Sequence, residues 1–177
     1  MDAQRAIRLV RQNAADWNID PANVGVMGFS AGGHLASTLS TQYSYEVDRQ
    51  KDKIDAQSAR PDFSILVYPV ITFQDGAVHG GSRKNLIGEN ASKELKDRFS
   101  AELNVTAETP PTFLVHAQDD KGVPIENSIL YYQALHKNGV KAALHIYPSG
   151  NHGFAFGLGK GAVESWREVL LAWMKDL

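Results

Sequence analysis

Residues 24–33 read Val-Gly-Val-Met-Gly-Phe-Ser-Ala-Gly-Gly, a short apolar run that leads into Gly-x-Ser-x-Gly and then into helix-forming residues. A serine on a sharp turn between a strand and a helix is held above the sheet, and we expect Gly28 and Gly32 to be the small neighbours that this turn needs. The helix that follows aims backbone N–H groups at the space beside Ser30, where negative charge is favoured. A glycine-rich turn without chemistry is the alternative interpretation, so the motif needs partners elsewhere in the chain.

The composition is that of an ordinary globular domain. The chain has 177 residues, of which 43% are hydrophobic and 21% are charged, and its formal net charge is −2. Because no basic stripe occurs, nucleic acid is not expected as a partner. The absence of cysteine excludes disulfides and thiolate metal sites.

Membrane and targeting signals are also missing from the sequence. The longest apolar runs, such as residues 65–71, are too short to cross a membrane. Met1 leads directly into a charged amphipathic segment rather than a signal peptide. We therefore expect no membrane partner, and a cytoplasmic location if the chain is complete.

Strand-like and helix-like segments alternate along the chain. Apolar runs predict strands at 24–27, 63–68, 113–117 and 142–147, and helical patterns cover 2–18, 33–40, 125–137 and 161–175. This alternation predicts an α/β fold in one domain over 1–177, with a parallel sheet of about four strands flanked by helices. The irregular segment 72–111 is predicted to be a lid-like excursion with a helix at 92–98, and the polar stretch 43–60 to be a surface helix or loop.

The candidate catalytic residues follow the ends of three predicted strands. Ser30 follows the first strand, Asp119 and Asp120 follow the third, and His152 follows the fourth. In parallel sheets, sites form at the carboxyl ends of the strands. A serine hydroxyl needs an imidazole to take its proton, and the imidazole needs a carboxylate that fixes its tautomer. The order Ser, Asp, His therefore predicts a catalytic triad for acyl transfer.

These motifs resemble the downstream part of an α/β-hydrolase of the acetyl esterase/lipase type, similar to acetyl-xylan esterases. The resemblance rests on residues 28–36, 116–124 and 150–154. It implies a serine esterase that cleaves short acyl esters, such as acetyl esters of sugars or xylan, without a cofactor. The substrate would be a small-molecule or carbohydrate ester.

The resemblance also implies roles for individual residues. The family pattern His-Gly-x-x-Asp-x-x-Val-Pro, aligned on Val123 and Pro124, selects Asp120 as the triad carboxylate, with Asp119 as the alternative. Ala31 N–H would be one oxyanion donor. The other residues expected to contact substrate are Gly32, Phe29 and Arg83. No histidine pair has metal-ligand spacing with carboxylate support, so we expect no metal; His34 and His116 are interpreted as structural.

Relatives carry several strands and a His-Gly-Gly loop before the point at which this chain begins, so the resemblance implies a truncated fold without the N-terminal strands. That loop would supply a second oxyanion donor, whose loss typically costs about a hundred- to a thousandfold in turnover. The His-Gly-Gly at 79–81 follows the nucleophile and is not expected to replace it. The strand at 24–27 would become an open edge, so we expect a homodimer through this strand and the helix at 2–18, or association with a separate upstream fragment.

Two alternative functions stay open. A serine peptidase of the prolyl-oligopeptidase type carries similar downstream motifs, and a panel of peptidyl substrates separates it from an esterase. A non-catalytic remnant would bind a ligand or partner with an intact-looking triad but an incomplete oxyanion hole. Labelling of Ser30 by a fluorophosphonate separates that remnant from an enzyme.

Overall fold

The computed structural model describes residues 2–45 and 52–177. One sheet contains four strands in the order β1-β2-β3-β4, all parallel. The strands are β1 (Val26–Phe29), β2 (Ser64–Val67), β3 (Thr112–Ala117) and β4 (Ala142–Tyr147). Because the strands are parallel and in sequence order, all their carboxyl ends meet at one edge of the sheet. This architecture confirms the predicted fold class.

Helices cover the sheet on both faces. The described residues contain α1 (Asp2–Gln12), α2 (Ala31–Gln42), α3 (Gly80–Ile87), α4 (Lys93–Arg98), α5 (Glu126–Lys137) and α6 (Trp166–Met174). Short 3₁₀ turns lie at Lys53–Ala56, Ala101–Leu103 and Gly161–Ser165. In this part of the chain, no helix is both long and apolar enough to cross a bilayer.

Two hydrophobic cores lie on the two faces of the sheet. Phe113 belongs with Trp166 of α6 to one cluster, while the adjacent Leu114 belongs with Tyr131 of α5 to the other. Successive side chains of a strand point to opposite faces. Every position of β2 and β3 is buried, which explains why both strands consist mostly of apolar residues.

The predicted helix at 2–18 is regular only to Gln12. The chain then continues in turns to Asn18, whose φ of 52° lies in the left-handed region. The N–H of Ile19 donates to the Ala14 carbonyl at 2.9 Å, the long bond of a Schellman ending. Helical turns therefore reach the predicted end, although the regular helix does not.

The first strand lies two residues later than predicted, at Val26–Phe29 rather than 24–27. Val24 is bonded instead to a side chain, because its N–H donates to Asp62 Oδ2 at 2.7 Å. Its carbonyl accepts the Asp62 N–H at 2.9 Å. At Val24, hydrogen bonds to Asp62 thus replace the β-sheet hydrogen bonds that the prediction implied.

The excursion at 72–111 contains α3 and α4, and the predicted helix at 92–98 corresponds to α4 with Ser92 as its N-cap. Asn127 of α5 fixes the start of this segment. Its Oδ1 accepts the N–H groups of Ile71 and Thr72, at 2.8 and 3.0 Å. Whether the segment acts as a lid stays a prediction.

The polar stretch predicted at 43–60 falls partly on 46–51, which lie outside the described residues. From Asp52 onward it forms a 3₁₀ turn that Asp52 caps. Ion pairs fix α1 to this turn, with Arg5 lying 2.7 Å from Asp52 and Arg8 3.1 Å from Asp55.

Candidate active site

Ser30 lies between β1 and α2 in a backbone conformation that few non-glycine residues adopt. Its φ is 51° and its ψ is −120°. Its N–H donates to the Val67 carbonyl at 3.1 Å, and its carbonyl accepts the Val70 N–H at 3.0 Å. Both backbone groups are therefore held by the carboxyl end of β2, which sustains the strained turn and directs the hydroxyl above the sheet.

Close packing explains two of the three glycines around this turn. A Cβ on Gly28 would lie 2.2 Å from the Gly32 carbonyl oxygen, and a Cβ on Gly33 would lie 2.6 Å from Pro69 Cβ. A Cβ on Gly32, in contrast, meets nothing within 4 Å. The expectation that Gly32 must be small is therefore wrong. The residue of α2 that lies close to Pro69 is the next one along the helix, Gly33.

His152 lies between Ser30 and Asp120. Its Nε2 is 2.8 Å from Ser30 Oγ, and its Nδ1 is 2.7 Å from Asp120 Oδ2. Because a carboxylate only accepts hydrogen bonds, Nδ1 carries the ring proton of neutral His152 and Nε2 offers a lone pair to the serine hydroxyl. The structure brings Asp120, and not Asp119, to the imidazole. This arrangement can accept a proton from Ser30.

The Asp120 carboxylate is fully buried but has donors on both oxygens. Its Oδ1 accepts the N–H groups of Gly122 and Val123, at 2.8 and 2.9 Å. Its Oδ2 faces His152 and also His116 Nε2, at 3.2 Å. Burial alone would raise the pKa of Asp120, but the hydrogen bonds from Val123, His152 and Gly122 outweigh it and hold the pKa below its usual range. The group therefore stays ionised at neutral pH.

Tyr68 is a site residue that the sequence reasoning missed. It follows β2 with a φ of 38°, and its ring lies edge to face with the His152 ring at a centroid distance of 5.0 Å. Its hydroxyl accepts the Ala155 N–H at 3.1 Å, and burial raises its pKa. A neutral phenol thus supports the loop that carries His152. Its position just before Pro69, at a strand end, was the available signal, but the apolar run made it look like core.

The predicted oxyanion donor lies at the start of α2. Ala31 is the first residue of this helix, so its N–H has no acceptor within the helix and lies at the terminus that favours negative charge. Phe29, one residue before Ser30, packs at 5.9 Å from the Tyr68 ring and 6.2 Å from the Phe156 ring. Phe29 and Ala31 are therefore the two sequence neighbours of Ser30.

Arg83 has two partners of its own in the excursion. Its guanidinium donates to the Phe73 carbonyl at 3.1 Å and pairs with Asp75 at 2.6 Å. The cavity described below is lined by its neighbour Ser82 but not by Arg83. A contact between Arg83 and substrate stays a prediction.

A cavity of about 450 Å³ lies beside the serine turn, between α2 and the excursion. Its walls are mostly apolar, with a few polar side chains at α2 and α3. It is lined by Ala31, His34, Leu35, Thr38, Phe73, Ser82, Asn85, Leu86 and Phe99. A smaller cavity of about 280 Å³ lies between α1, α2 and α4, and none of the predicted site residues lines it. The larger cavity is therefore the candidate for the substrate.

His34 forms part of the floor of that cavity rather than part of the proton relay. Its ring stacks on Phe73 at a centroid distance of 4.5 Å, and its Nε2 lies 2.8 Å from the Phe99 carbonyl oxygen. Burial lowers the pKa of His34, so the ring is neutral and donates from Nε2. Among the described residues, no group of three or more potential metal ligands occurs.

Comparisons with known proteins point to one family. The model of the BD-FAE family matches residues 1–135. The chain is 40% identical to an acetylxylan esterase from Xylanibacter ruminicola, over 99% of this chain and 35% of that protein. It is 39% identical to endo-1,4-beta-xylanase B from Butyrivibrio fibrisolvens, over 86% of this chain and 24% of that protein.

Solved structures are also similar along nearly the whole chain. One of them is the acetyl ester-xyloside bifunctional hydrolase from Caldicellulosiruptor lactoaceticus, with a TM-score of 0.94 and 44% identity, and the match covers 99% of this chain and 64% of that one. The chain thus spans about a third or less of the curated relatives described above, at 35% and 24%. These similarities confirm the resemblance to α/β-hydrolases of the acetyl-xylan esterase type.

Proposed function

Because the chain belongs to the BD-FAE family and has the α/β-hydrolase fold, we propose that it is a serine carboxylic-ester hydrolase. The observation that carries the proposal is the hydrogen-bonded line from Ser30 Oγ to His152 Nε2, at 2.8 Å, and from His152 Nδ1 to Asp120 Oδ2, at 2.7 Å. A buried, ionised carboxylate, an oriented imidazole and a hydroxyl on a strained turn are the parts that acyl transfer needs.

In the proposed mechanism, Ser30 Oγ attacks the ester carbonyl while His152 Nε2 takes its proton. Asp120 stabilises the imidazolium that forms, and the Ala31 N–H faces the oxygen that becomes negative. The tetrahedral intermediate collapses, and His152 gives the proton to the leaving alcohol. Water then attacks the acyl-enzyme with His152 as base, which releases the carboxylic acid and restores Ser30.

For the substrate, we propose short acyl esters, with acetyl groups on sugars or xylan as the natural class. The names of the similar acetylxylan esterase and acetyl ester-xyloside hydrolase support this choice. The same names favour an ester over a peptide bond, which makes a peptidase the weaker candidate. The cavity beside Ala31 gives the acyl or alcohol group a largely apolar wall.

The test compares the wild-type chain with Ser30→Ala on p-nitrophenyl acetate, p-nitrophenyl octanoate, acetylated xylan and a peptidyl p-nitroanilide. We expect turnover of the acetate and of acetylated xylan, weaker turnover of the octanoate and none of the anilide. Ser30→Ala should lower turnover by at least about a thousandfold. Ser44→Ala, which changes an exposed serine beyond the end of α2, should leave it unchanged.

A fluorophosphonate separates the enzyme from a protein that only inherits the triad. It should label the wild-type chain and Ser44→Ala, but not Ser30→Ala, because only an activated serine reacts with it. A folded wild-type chain that neither hydrolyses esters nor takes the label contradicts the proposal and favours a binding protein.

A further inference from the structure

A second histidine contacts the same carboxylate oxygen as His152. His116, at the end of β3, is fully buried, as is the Asp120 side chain. Its Nε2 lies 3.2 Å from Asp120 Oδ2 and 3.1 Å from the Val123 carbonyl oxygen. Its Nδ1 lies 2.8 Å from Ser128 Oγ on α5. Both ring nitrogens therefore have partners inside the protein.

These partners determine the tautomer of His116. Nε2 faces a carboxylate oxygen and a carbonyl oxygen, which both only accept, so Nε2 must carry a proton. Burial lowers the pKa of His116, although Asp120 opposes that effect. The ring is therefore neutral, with a lone pair on Nδ1, and the Ser128 hydroxyl donates to it.

We propose that neutral His116, kept in this tautomer by Ser128, is a positioning residue that orients the Asp120 carboxylate toward His152. The proposal rests on the proposed function, because it assigns a task within the same triad. Asp120 Oδ2 receives hydrogen bonds from two imidazoles, while Oδ1 is held by two backbone N–H groups. All four donors fix the plane of the carboxylate.

The neutrality of His116 is the feature that suits it to this task. During catalysis His152 becomes an imidazolium, and a second positive ring on the same oxygen would compete with it for the carboxylate. A neutral donor orients the oxygen without that penalty. Its hydrogen bond also draws electron density from Asp120 Oδ2, so the carboxylate attracts the His152 proton less strongly than a free one would.

Three other titratable residues in the described part of the chain lie near the triad, in space or in sequence. The Tyr68 phenol packs on the ring, and Asp119 binds the backbone N–H of Asn151 instead of the imidazole. Lys121, in the same loop as Asp120, is exposed to solvent. The pH response of the triad should therefore follow changes at His116 and Asp120.

The first test measures ester hydrolysis across pH by the wild type, His116→Leu and His116→Gln. We expect His116→Leu to lower kcat by about 10- to 100-fold with little change in KM, since a hydrogen bond to a charged group is lost. The midpoint of the acid limb of kcat/KM should move up by about half a unit to one unit, because Asp120 Oδ2 then holds the imidazolium more strongly. His116→Gln retains a donor and should recover most of both losses.

Two further variants separate positioning from packing. Ser128→Ala removes the donor to Nδ1 and should shift the acid limb in the same direction as His116→Leu, by a smaller amount. His136→Leu, at an exposed position of α5, should change neither kcat nor the acid limb. If the Leu and Gln variants lose stability and activity equally, with the acid limb unmoved, His116 is only a packing residue and the proposal is overturned.

A measurement that does not depend on ester hydrolysis tests this proposal separately from the esterase proposal. The His152 Nδ1–H proton, bonded to Asp120, should give a low-field NMR signal in the wild type. It should move in His116→Leu and stay close to its wild-type position in His116→Gln. If no ester is hydrolysed but the signal moves in this way, the proposed function fails and the positioning role stands. An unmoved signal in both His116 variants overturns the positioning role.

Discussion

Asp119 Oδ1 accepts a hydrogen bond from the Asn151 backbone N–H at 2.8 Å. Asn151 has a φ of 55°, in the left-handed region that asparagine adopts more readily than most non-glycine residues, and it directly precedes His152. The two neighbouring aspartates therefore have different tasks. Asp120 binds the imidazole itself, whereas Asp119 holds the left-handed backbone of Asn151, next to the imidazole.

We expect Asp119→Ala to lower kcat for p-nitrophenyl acetate by about tenfold, the cost of about one hydrogen bond that positions the His152 loop. Asp119→Asn keeps an acceptor oxygen and should lose less. Asp120→Asn should be far more damaging, by about four orders of magnitude, because it favours the wrong His152 tautomer. Equal losses in Asp119→Ala and Asp120→Asn would contradict this division of tasks.

Gly122 packs closely against the side chain of His152. A Cβ at this position would lie 3.0 Å from His152 Cγ and 3.2 Å from His152 Cβ. We expect Gly122→Ala to push the ring away from Ser30 and to lower kcat by about 10- to 100-fold, since small misplacements of catalytic groups are costly. Gly80→Ala is the matched control, because a Cβ there meets nothing within 4 Å. Equal activity of the two variants would show that the ring position tolerates the contact.

Strand order and residue type predicted that Ser30, His152 and an aspartate after the third strand lie together, because the carboxyl ends of parallel strands converge. The choice of Asp120 over Asp119 came instead from the resemblance to the family pattern, aligned on Val123 and Pro124. Tyr68 escaped because it ends a continuous apolar run, where an aromatic residue is expected to be core. Its role depends on contacts with the distant loop at residues 152–155. Local sequence patterns do not reveal such long-range contacts.

The glycines of the serine turn show the same limit. The motif marks Gly28 and Gly32 by symmetry about Ser30, and the Gly32 carbonyl does require a glycine at position 28. After the serine, however, the residue that must be small is Gly33, because it contacts Pro69 at the end of another strand. Likewise, the start of β1 depends on the Asp62 side chain that binds Val24 N–H. Contacts of this kind between distant segments decide the details that periodicity cannot.

We expect Gly32→Ala to stabilise the protein by about 0.5–1 kcal/mol, because alanine favours the helical backbone of α2 and the added Cβ has free space. Gly28→Ala should instead destabilise it by about 2 kcal/mol or more, since its Cβ would overlap a backbone carbonyl. Urea unfolding of both variants beside the wild type measures the difference. A Gly32→Ala protein that is less stable than the wild type would restore the original expectation for this position.

Stability should fall on acidification because of His34. Burial lowers the pKa of His34 in the folded protein, while the unfolded chain takes up a proton near about pH 6.5. Below that pH the unfolded state binds a proton that the folded state does not. The free energy of unfolding then falls, by up to about 1.4 kcal/mol per pH unit, until the folded pKa is reached.

The difference between wild type and His34→Gln isolates this contribution. Glutamine does not titrate and can still donate to the Phe99 carbonyl, so the variant should lose less stability between about pH 7.5 and about pH 5.5. Burial raises the pKa of Glu102, so protonation of Glu102 favours the folded state on acidification. This opposite effect on stability is the same in the wild type and in His34→Gln. His136→Gln, at an exposed position, should keep the wild-type slope. Identical slopes for His34→Gln and wild type would show that His34 does not resist protonation.

The outer edge of β1 has unused hydrogen-bonding capacity. The N–H groups of Val26 and Ser30 donate to carbonyls at β2, those of Phe63 and Val67. By the alternation of a strand, the N–H groups of Met27 and Phe29 face away from β2, and among the described residues no strand pairs on that side. The Met27 side chain is 40% exposed.

We propose that two copies of the chain pair through this edge of β1, and we predict a dimer by light scattering after size exclusion. Met27→Lys should shift the mass to that of a monomer while the circular dichroism stays unchanged, because a lysine on an edge strand opposes pairing with another chain. Leu171→Lys changes an exposed apolar residue of α6, 61% exposed against 40% for Met27, and should remain dimeric. A wild-type chain that stays monomeric at high concentration rules out the dimer. Loss of the dimer in both lysine variants would show that the interface is not confined to the edge of β1.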